Sequence, residues 1–161
     1  MLDGESAEVV CAIRADGRQP AAQLLDDLAA GTWADPDVDE LPDSRQASDL
    51  KRLLDLVQRI ADGESYLGRG MMNYLWLGIW ELKVGRLRVT FYDTDGHGNS
   101  CTTYPLFVES GWDQKNRYAR PDEFGESTRL GHHFVKSGPH TSRHDMAEAE
   151  ATRREDFDHD R

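Results

Sequence analysis

The sequence has few cysteines, no long apolar run and no excess of basic residues. Its two cysteines, Cys11 and Cys101, form no CxxC pair, which excludes a disulfide framework and fits a reducing compartment. No apolar run approaches the roughly 18 to 20 residues that a membrane span needs, and the acidic start lacks the basic and apolar regions of a signal peptide. We therefore expect a cytoplasmic protein with no membrane partner.

Basic residues are outnumbered by acidic ones, 19 to 30, which gives a formal net charge of -11. This balance ordinarily argues against nucleic-acid binding, because Lys and Arg make the contacts to phosphate. The acidic residues, however, are concentrated towards the two ends of the chain. Residues 71–145 hold nine acidic and nine basic residues and five of the six histidines. If an anion is bound, we expect it in this neutral middle part.

The 161 residues suit one domain, and four Trp, five Tyr and five Phe argue against wholesale disorder. Hydrophobic periodicity and turn residues predict four strands and three helices. The predicted strands are 7–14, 74–84, 86–92 and 130–137, and the predicted helices are 20–30, 43–60 and 142–157. This order predicts an α+β fold, in which a small antiparallel sheet carries two helices from the N-terminal half and one C-terminal helix.

The segment 94–128 is long and rich in Gly, Asp, Asn and Ser. We interpret it as a long loop within the single domain 1–161, interrupted by the sequence CTTYPLFVE, which could form a short edge strand. The acidic end of the chain, about 156–161, is expected to fray.

Residues of the second half carry a motif pattern. The stretch Glu81-Leu82-Lys83-Val84 is followed by Arg88 and an aromatic strand, and Phe134-Val135-Lys136 is followed by Thr141, Asp145-Met146 and Ala149. This pattern resembles the HigB/RelE superfamily of toxins, in particular its phage-derived HigB-like branch. The chain departs from the family pattern at Ser137, where the family has a second Lys, and in its acidic charge.

The resemblance implies a RelE-like fold and a toxin of a type II toxin–antitoxin system. Such a toxin cleaves mRNA as an endoribonuclease, commonly in the ribosomal A site, and uses no metal or cofactor. Its partners would be mRNA, the ribosome and a small helix-turn-helix antitoxin that covers the active face. One alternative is a protein of the same fold whose site has decayed and which serves as a binding module. Another is an unrelated phage accessory protein.

RNA cleavage without a metal needs a base for the ribose 2′-OH, cations on the scissile phosphate and a proton donor for the leaving 5′ oxygen. If the strands around 86–92 and 130–136 pair side by side, Arg88 and Lys136 could share a sheet face, with His132 nearby. Arg88 would then stabilise the transition state, because its planar fork matches phosphate oxygens. A strand residue paired with an acid is the competing interpretation of Arg88.

Three more catalytic assignments follow the same chemistry. Lys136 could contact phosphate or help to remove the 2′ proton, although a solvated strand end is the structural alternative. His132 and His140 are candidate acid–base residues, since imidazole titrates near neutral pH. His133 follows His132 directly, so on a strand only one of the two can reach a given site. A lone loop histidine such as His140 is more often a surface residue.

Four other residues are predicted to contact RNA, namely Lys83, Arg86, Tyr92 and Arg143. Tyr92 could stack on a base or donate its phenol proton, but it also fits a core aromatic. The acidic segments DPDVDELPD and REDFDHD are interpreted as solvated linkers and helix ends. A second interpretation is that they fold over the basic face as phosphate mimics.

Two metal sites compete with these interpretations. His140 and His144 are spaced i, i+4 and could bind zinc with a third histidine. The stretch from Asp93 to Asn99 imitates the opening of a calcium-binding EF-hand loop, but its twelfth position is Tyr104 rather than Glu. We interpret DTDGHGN as a tight turn and predict no metal.

Overall fold

The computed structural model describes residues 2–64, 67–68, 70–99, 101, 105–110, 113–121, 124–125 and 127–160. Side chains are described for these residues except in 2–3, 105–110 and 113–121. The helices are α1 (Pro20–Ala30), α2 (Asp43–Ala61) and α3 (Arg143–His159). The strands are β1 (Leu2–Asp3), β2 (Glu8–Cys11), β3 (Met72–Trp76), β4 (Ile79–Val84), β5 (Leu87–Thr94), β6 (Pro105–Ser110), β7 (Asp113–Pro121) and β8 (Ser127–Val135).

The main sheet has six strands in the order β1-β2-β8-β5-β4-β3. With its three helices this confirms an α+β fold. The expectation of a purely antiparallel sheet is wrong, because β2 pairs with β8 in parallel while the other neighbours are antiparallel. Parallel neighbours need a long connection between them. Here α1, α2, three strands of the main sheet and the separate β6–β7 pair lie between β2 and β8 in the chain, so the chain has the length to return in the same direction.

Helices α1 and α2 cover one face of the main sheet, which we call the apolar face. Leu82 lies opposite Val89, and Phe91 lies opposite Leu130, so their side chains share this face. Leu24 and Leu28 of α1 and Leu53, Val57 and Ile60 of α2 belong to the same buried cluster. The recurrence of these leucines at helical spacing is what predicted both helices, and the observed α1 has the predicted bounds.

The segment 74–84, which was predicted as one strand, consists of two. β3 ends at Trp76 and β4 begins at Ile79. The intervening Leu77 and Gly78 both have positive φ, 47° and 80°, as a two-residue hairpin turn requires. The sequence hides this turn because YLWLGIWELKV is apolar almost throughout and a leucine occupies one of the two left-handed positions. The side chain of Arg153 donates a hydrogen bond to the Leu77 carbonyl and so supports the turn.

The segment 94–128 contains more structure than a loop with an edge strand. β6 coincides with part of CTTYPLFVE and pairs with β7 in a separate two-stranded antiparallel sheet. The strand β7 was not predicted, since its polar residues lack a clear alternation. Residues 102–104 of the predicted strand lie outside the described residues. At the other end of the chain, α3 continues to His159 through residues that were expected to fray. No described helix has the length and apolar character to cross a membrane.

Candidate functional site

The second face of the main sheet is polar and carries most of the residues singled out from the sequence. Lys83 lies opposite Arg88, which lies opposite Phe134 on the other neighbouring strand. Residues opposite one another in a ladder point to the same side. We call this side the polar face, and α3 packs on it against β8 and β5.

A bulge in β8 places His132 on the polar face. Between Val89 and Phe91 the β5 strand has one intervening residue, whereas β8 has two between His133 and Leu130. Gly131 permits this bulge, because a Cβ atom there would lie 2.9 Å from the Thr90 hydroxyl oxygen. The same Thr90 hydroxyl donates to the His132 carbonyl at 2.9 Å. His132 stacks on the Phe134 ring at a centroid distance of 5.9 Å.

The His132 imidazole lies against the first turn of α3. Its Nε2 is 3.5 Å from Oδ1 of Asp145. Asp145 is itself fixed, since its amide donates to the Ser142 hydroxyl oxygen at 3.0 Å and its Oδ2 accepts from that hydroxyl at 2.6 Å. Burial lowers the pKa of His132, and the nearby Asp145 and Glu148 carboxylates oppose that shift. A neutral imidazole oriented by a carboxylate is the arrangement of a general base.

Arg88 is held as a fixed charge in the polar face. Its Nη1 donates to the carbonyls of Gly85 and Leu87 at 2.7 and 2.9 Å, and its Nε lies 3.7 Å from Oε1 of Glu81. Glu81 is fully buried, and the Arg88 side chain is only 12% exposed. Desolvation lowers the pKa of Arg88, while Glu81 raises it. The structure of the free chain therefore agrees with the alternative interpretation of Arg88, a strand arginine paired with an acid.

Lys136 lies at the end of the polar face. It follows the last residue of β8, and its amide donates to the Arg86 carbonyl at 2.9 Å. This bond continues the β5–β8 ladder by one step, so alternation assigns Lys136 to the face of Phe134 and Arg88. We expected Arg88 and Lys136 to share a sheet face with His132 nearby, and the β5–β8 pairing on which that expectation depended is present. Arg86 is engaged elsewhere, because its guanidinium pairs with Asp35 and Asp37 of the α1–α2 connection.

Three predicted site residues are not brought into this group. His140 is exposed in the segment between β8 and α3, and Arg143 is exposed at the first residue of α3. Tyr92 is 1% exposed, packs edge-on against Phe157 and donates to Oδ2 of Asp156 at 2.8 Å. We therefore assign Tyr92 to the core that joins α3 to the sheet rather than to RNA binding.

Several residues that matter here were missed by sequence reasoning. Asp145 orients His132, and its signal was its position three residues after the helix cap Ser142. Glu81 was quoted only as part of a motif, although it is the buried partner of Arg88. Asp35 and Asp37 were treated as part of an acidic segment, and only the structure shows that they reach Arg86.

The described residues contain no group of three or more His, Cys, Asp or Glu that could hold a metal ion. His140 precedes α3, so the i, i+4 spacing to His144 does not place the two histidines on one helix face. Asp95 accepts hydrogen bonds from the amides of His97 and Asn99 and from the Asn99 side chain. These bonds lower the pKa of Asp95 to about 2 and build a turn out of the segment that imitates a calcium loop.

The comparisons with known proteins add no family. A scan against protein-family models finds no match, and a search among curated proteins finds no significant match. The resemblance to HigB/RelE toxins thus depends on the residues quoted above alone.

Proposed function

We propose that the chain is a RelE-like toxin of a type II toxin–antitoxin system, a cytoplasmic endoribonuclease that cleaves ribosome-bound mRNA and is held by a helix-turn-helix antitoxin. The observation that supports this proposal is the shared sheet face of Arg88, Lys83 and His132, which carries both an oriented imidazole and a fixed guanidinium. Those are the groups that metal-independent RNA cleavage requires.

In this proposal each group has a defined part in the reaction. Nδ1 of His132 takes the proton of the 2′-OH as its oxygen bonds to phosphorus, while Asp145 stabilises the imidazolium at Nε2. The bond from phosphorus to the 5′ oxygen breaks, and the Lys136 ammonium supplies the proton that this oxygen needs. Arg88 provides positive charge behind the phosphate. Because its Nη1 is committed to two carbonyls, Arg88 acts through its fixed position and charge rather than as a freely rotating fork.

A second candidate function is a binding module of the same fold without nuclease activity. Its support is the Glu81 carboxylate, which lies 3.7 Å from Arg88 in a fully buried position and offsets the charge that a phosphate would use. A protein that recognises only a partner surface would tolerate such an internal pair. The net charge of -11 agrees with this candidate too.

Induced expression in a bacterial host, with growth and mRNA 5′ ends followed together, separates the two candidates. We expect the wild type to arrest growth and to produce new 5′ ends. His132→Asn removes the base and should abolish both effects. His97→Asn is the matched control, because His97 is exposed in the Asp95 turn. It should remain as toxic as the wild type.

Arg88 requires a paired change, since its removal alone would leave the buried Glu81 carboxylate without a cation and with the Asn73 amide as its neutral donor. The double variant Glu81→Gln/Arg88→Gln replaces an ion pair by two amides and should fold while losing toxicity. A folded wild type that neither arrests growth nor produces new ends would reject the nuclease and leave the binding module. Unchanged toxicity in His132→Asn would reject our assignment of the base.

A further inference from the structure

The acidic α1–α2 connection reaches the end of the polar face through one arginine. Arg86 directly precedes β5 and lies two residues before Arg88 in the sequence. Its guanidinium contacts the carboxylates of both Asp35 and Asp37. Its Nε also lies 3.5 Å from the Lys136 carbonyl oxygen. Arg86 thus lies between the acidic connection on one side and the backbone of Lys136 on the other.

The two carboxylates are presented by a built turn rather than by a loose acidic run. The Val38 amide donates to the Asp35 carbonyl at 3.1 Å, and the Asp37 amide donates to Oδ1 of Asp35 at 2.9 Å. The first of these bonds closes a four-residue turn around Pro36, and the second holds Asp37 next to Asp35. Oδ2 of each aspartate is left to face the guanidinium.

The base of this turn is anchored in the protein. Gln46 of α2 is buried, and its side-chain amide donates to the carbonyls of Gly31 and Leu41, on both sides of the turn. Its side-chain oxygen accepts from the Trp33 amide at 2.9 Å. Asp35 is also buried, whereas Asp37 and Arg86 are each more than 40% exposed on their side chains. The acids are therefore held in place at a contact that solvent and ligands can reach.

We propose that Arg86 forms, with Lys136, a phosphate-binding site for the RNA strand next to Arg88, and that Asp35 and Asp37 occupy this site as phosphate mimics in the free chain. Two carboxylates on one guanidinium supply the oxygens and the negative charge that a phosphodiester would supply. The Arg86–Asp37 pair is exposed on both side chains, and exposed ion pairs are weak, so a phosphate can displace Asp37 first. The inference rests on the proposed function in taking RNA as the ligand.

This arrangement gives a role to the acidic charge that otherwise opposes RNA binding. Only an RNA that makes enough other contacts to the polar face would displace the two aspartates, so the connection would weaken binding of arbitrary RNA. The structure thereby favours the second interpretation of the DPDVDELPD segment, in which it covers a basic position.

The test measures binding of a fluorescent 2′-O-methyl RNA oligonucleotide by anisotropy, at the same salt concentration for every variant. This RNA lacks a free 2′-OH and cannot be cleaved, so the measurement does not depend on nuclease activity. Asp35→Asn/Asp37→Asn should bind about three- to ten-fold more tightly than Asp39→Asn/Glu40→Gln. The control pair changes the net charge equally, lies on the same exposed connection and does not involve the two acids that contact Arg86.

A third variant identifies the residue that is uncovered. Adding Arg86→Ala to Asp35→Asn/Asp37→Asn should return the affinity to that of the control pair. Equal affinities for the two acidic pairs, or a gain that survives loss of Arg86, would overturn the inference. Melting temperatures establish that all variants are folded.

The two proposals fail separately. A wild type without growth arrest, combined with an Arg86-dependent gain in RNA affinity, rejects the nuclease and keeps this site. Growth arrest combined with equal affinities keeps the nuclease and rejects this site.

Discussion

The two faces of the main sheet are stabilised by different chemistry. The apolar face buries aliphatic and aromatic side chains such as Phe91 and Leu53, whose burial is favourable in many packing arrangements. The polar face is held by directed contacts, in which Asp156 accepts from Tyr92 and from the Ile13 amide, and Arg14 pairs with Glu148 and Glu155. Burial on the apolar face provides most of the stability of the fold. The directed contacts of the polar face determine where α3 and the reactive groups lie.

The apolar face should show the largest effect of a single truncation. Phe91 is fully buried and contacts Phe124 edge-on at a centroid distance of 5.3 Å. We expect Phe91→Ala to lower the free energy of unfolding by about 3–5 kcal/mol, because it removes buried apolar surface and leaves a cavity. Urea denaturation measures the change. Leu54→Ala, at a residue of α2 that is 37% exposed, should cost less than about 0.5 kcal/mol, and equal losses for the two would contradict this view of the core.

On the polar face, the loss in the free energy of unfolding should depend on whether the substitution leaves a buried charge without its counter-charge. Arg88→Met removes the charge that faces the fully buried Glu81, and we expect a loss of about 2–4 kcal/mol in the free energy of unfolding. Glu81→Gln in the same chain should restore most of that loss, since the remaining group is neutral. A double-mutant cycle by urea denaturation tests this coupling, and strictly additive effects would show that the two side chains are independent.

A smaller loss of stability is expected where the substitution removes a hydrogen bond but no charge. Tyr92→Phe removes one of the donors to Asp156, whose Oδ1 still accepts from the Ile13 amide at 2.8 Å. We expect the free energy of unfolding to fall by about 1–2 kcal/mol. Asp156→Ala should cost more than Tyr92→Phe, because it leaves the phenol, the amide and Arg129 without this acceptor. The reverse order in urea denaturation would contradict the proposed anchoring of α3.

The same contrast explains what the sequence could predict. Periodic leucines and the Pro20 and Gly31 boundaries predicted α1, and similar periodicity predicted α2, because burial of one helix face leaves a repeating pattern. The expected shared face for Arg88 and Lys136, with His132 nearby, depended on the assumption that β5 and β8 pair, which alternation alone does not establish. The exact pairing, the Gly131 bulge and the Leu77 turn were not predictable, since they depend on tertiary contacts with Thr90 and Arg153.

Contacts between residues that are distant in the sequence were even harder to predict from the sequence pattern. No local rule links Glu81 to Arg88 across two strands, Asp145 to His132, or the Asp35 turn to Arg86. The parallel pairing of β2 with β8 likewise joins strands more than a hundred residues apart. Composition indicated that the acidic segments existed, but only the fold determines which cation each one meets.

The smallest expected effect compares the neighbours His132 and His133, whose rings stack at a centroid distance of 6.1 Å. His132 lies against Asp145, while His133 lines a pocket of about 380 Å³ beside Pro20 and Asp26 of α1. Burial is the main cause that lowers the pKa of each. The unfolded chain therefore binds more protons than the folded chain as pH falls through the ordinary histidine range near 6.5. The folded chain is therefore most stable at a pH where both imidazoles are neutral. It loses stability as the pH falls towards the lowered pKa values of His132 and His133 in the folded chain.

Measuring the free energy of unfolding from neutral to mildly acidic pH sharpens this comparison. His132→Asn and His133→Asn should each flatten the fall in stability at acidic pH. His132→Asn should flatten it less if Asp145 and Glu148 offset part of the desolvation, as their opposing effect on its pKa indicates. A steeper fall in either buried variant would mean that the imidazole gains a proton more readily in the folded chain, which would remove the basis for a neutral His132 as the base.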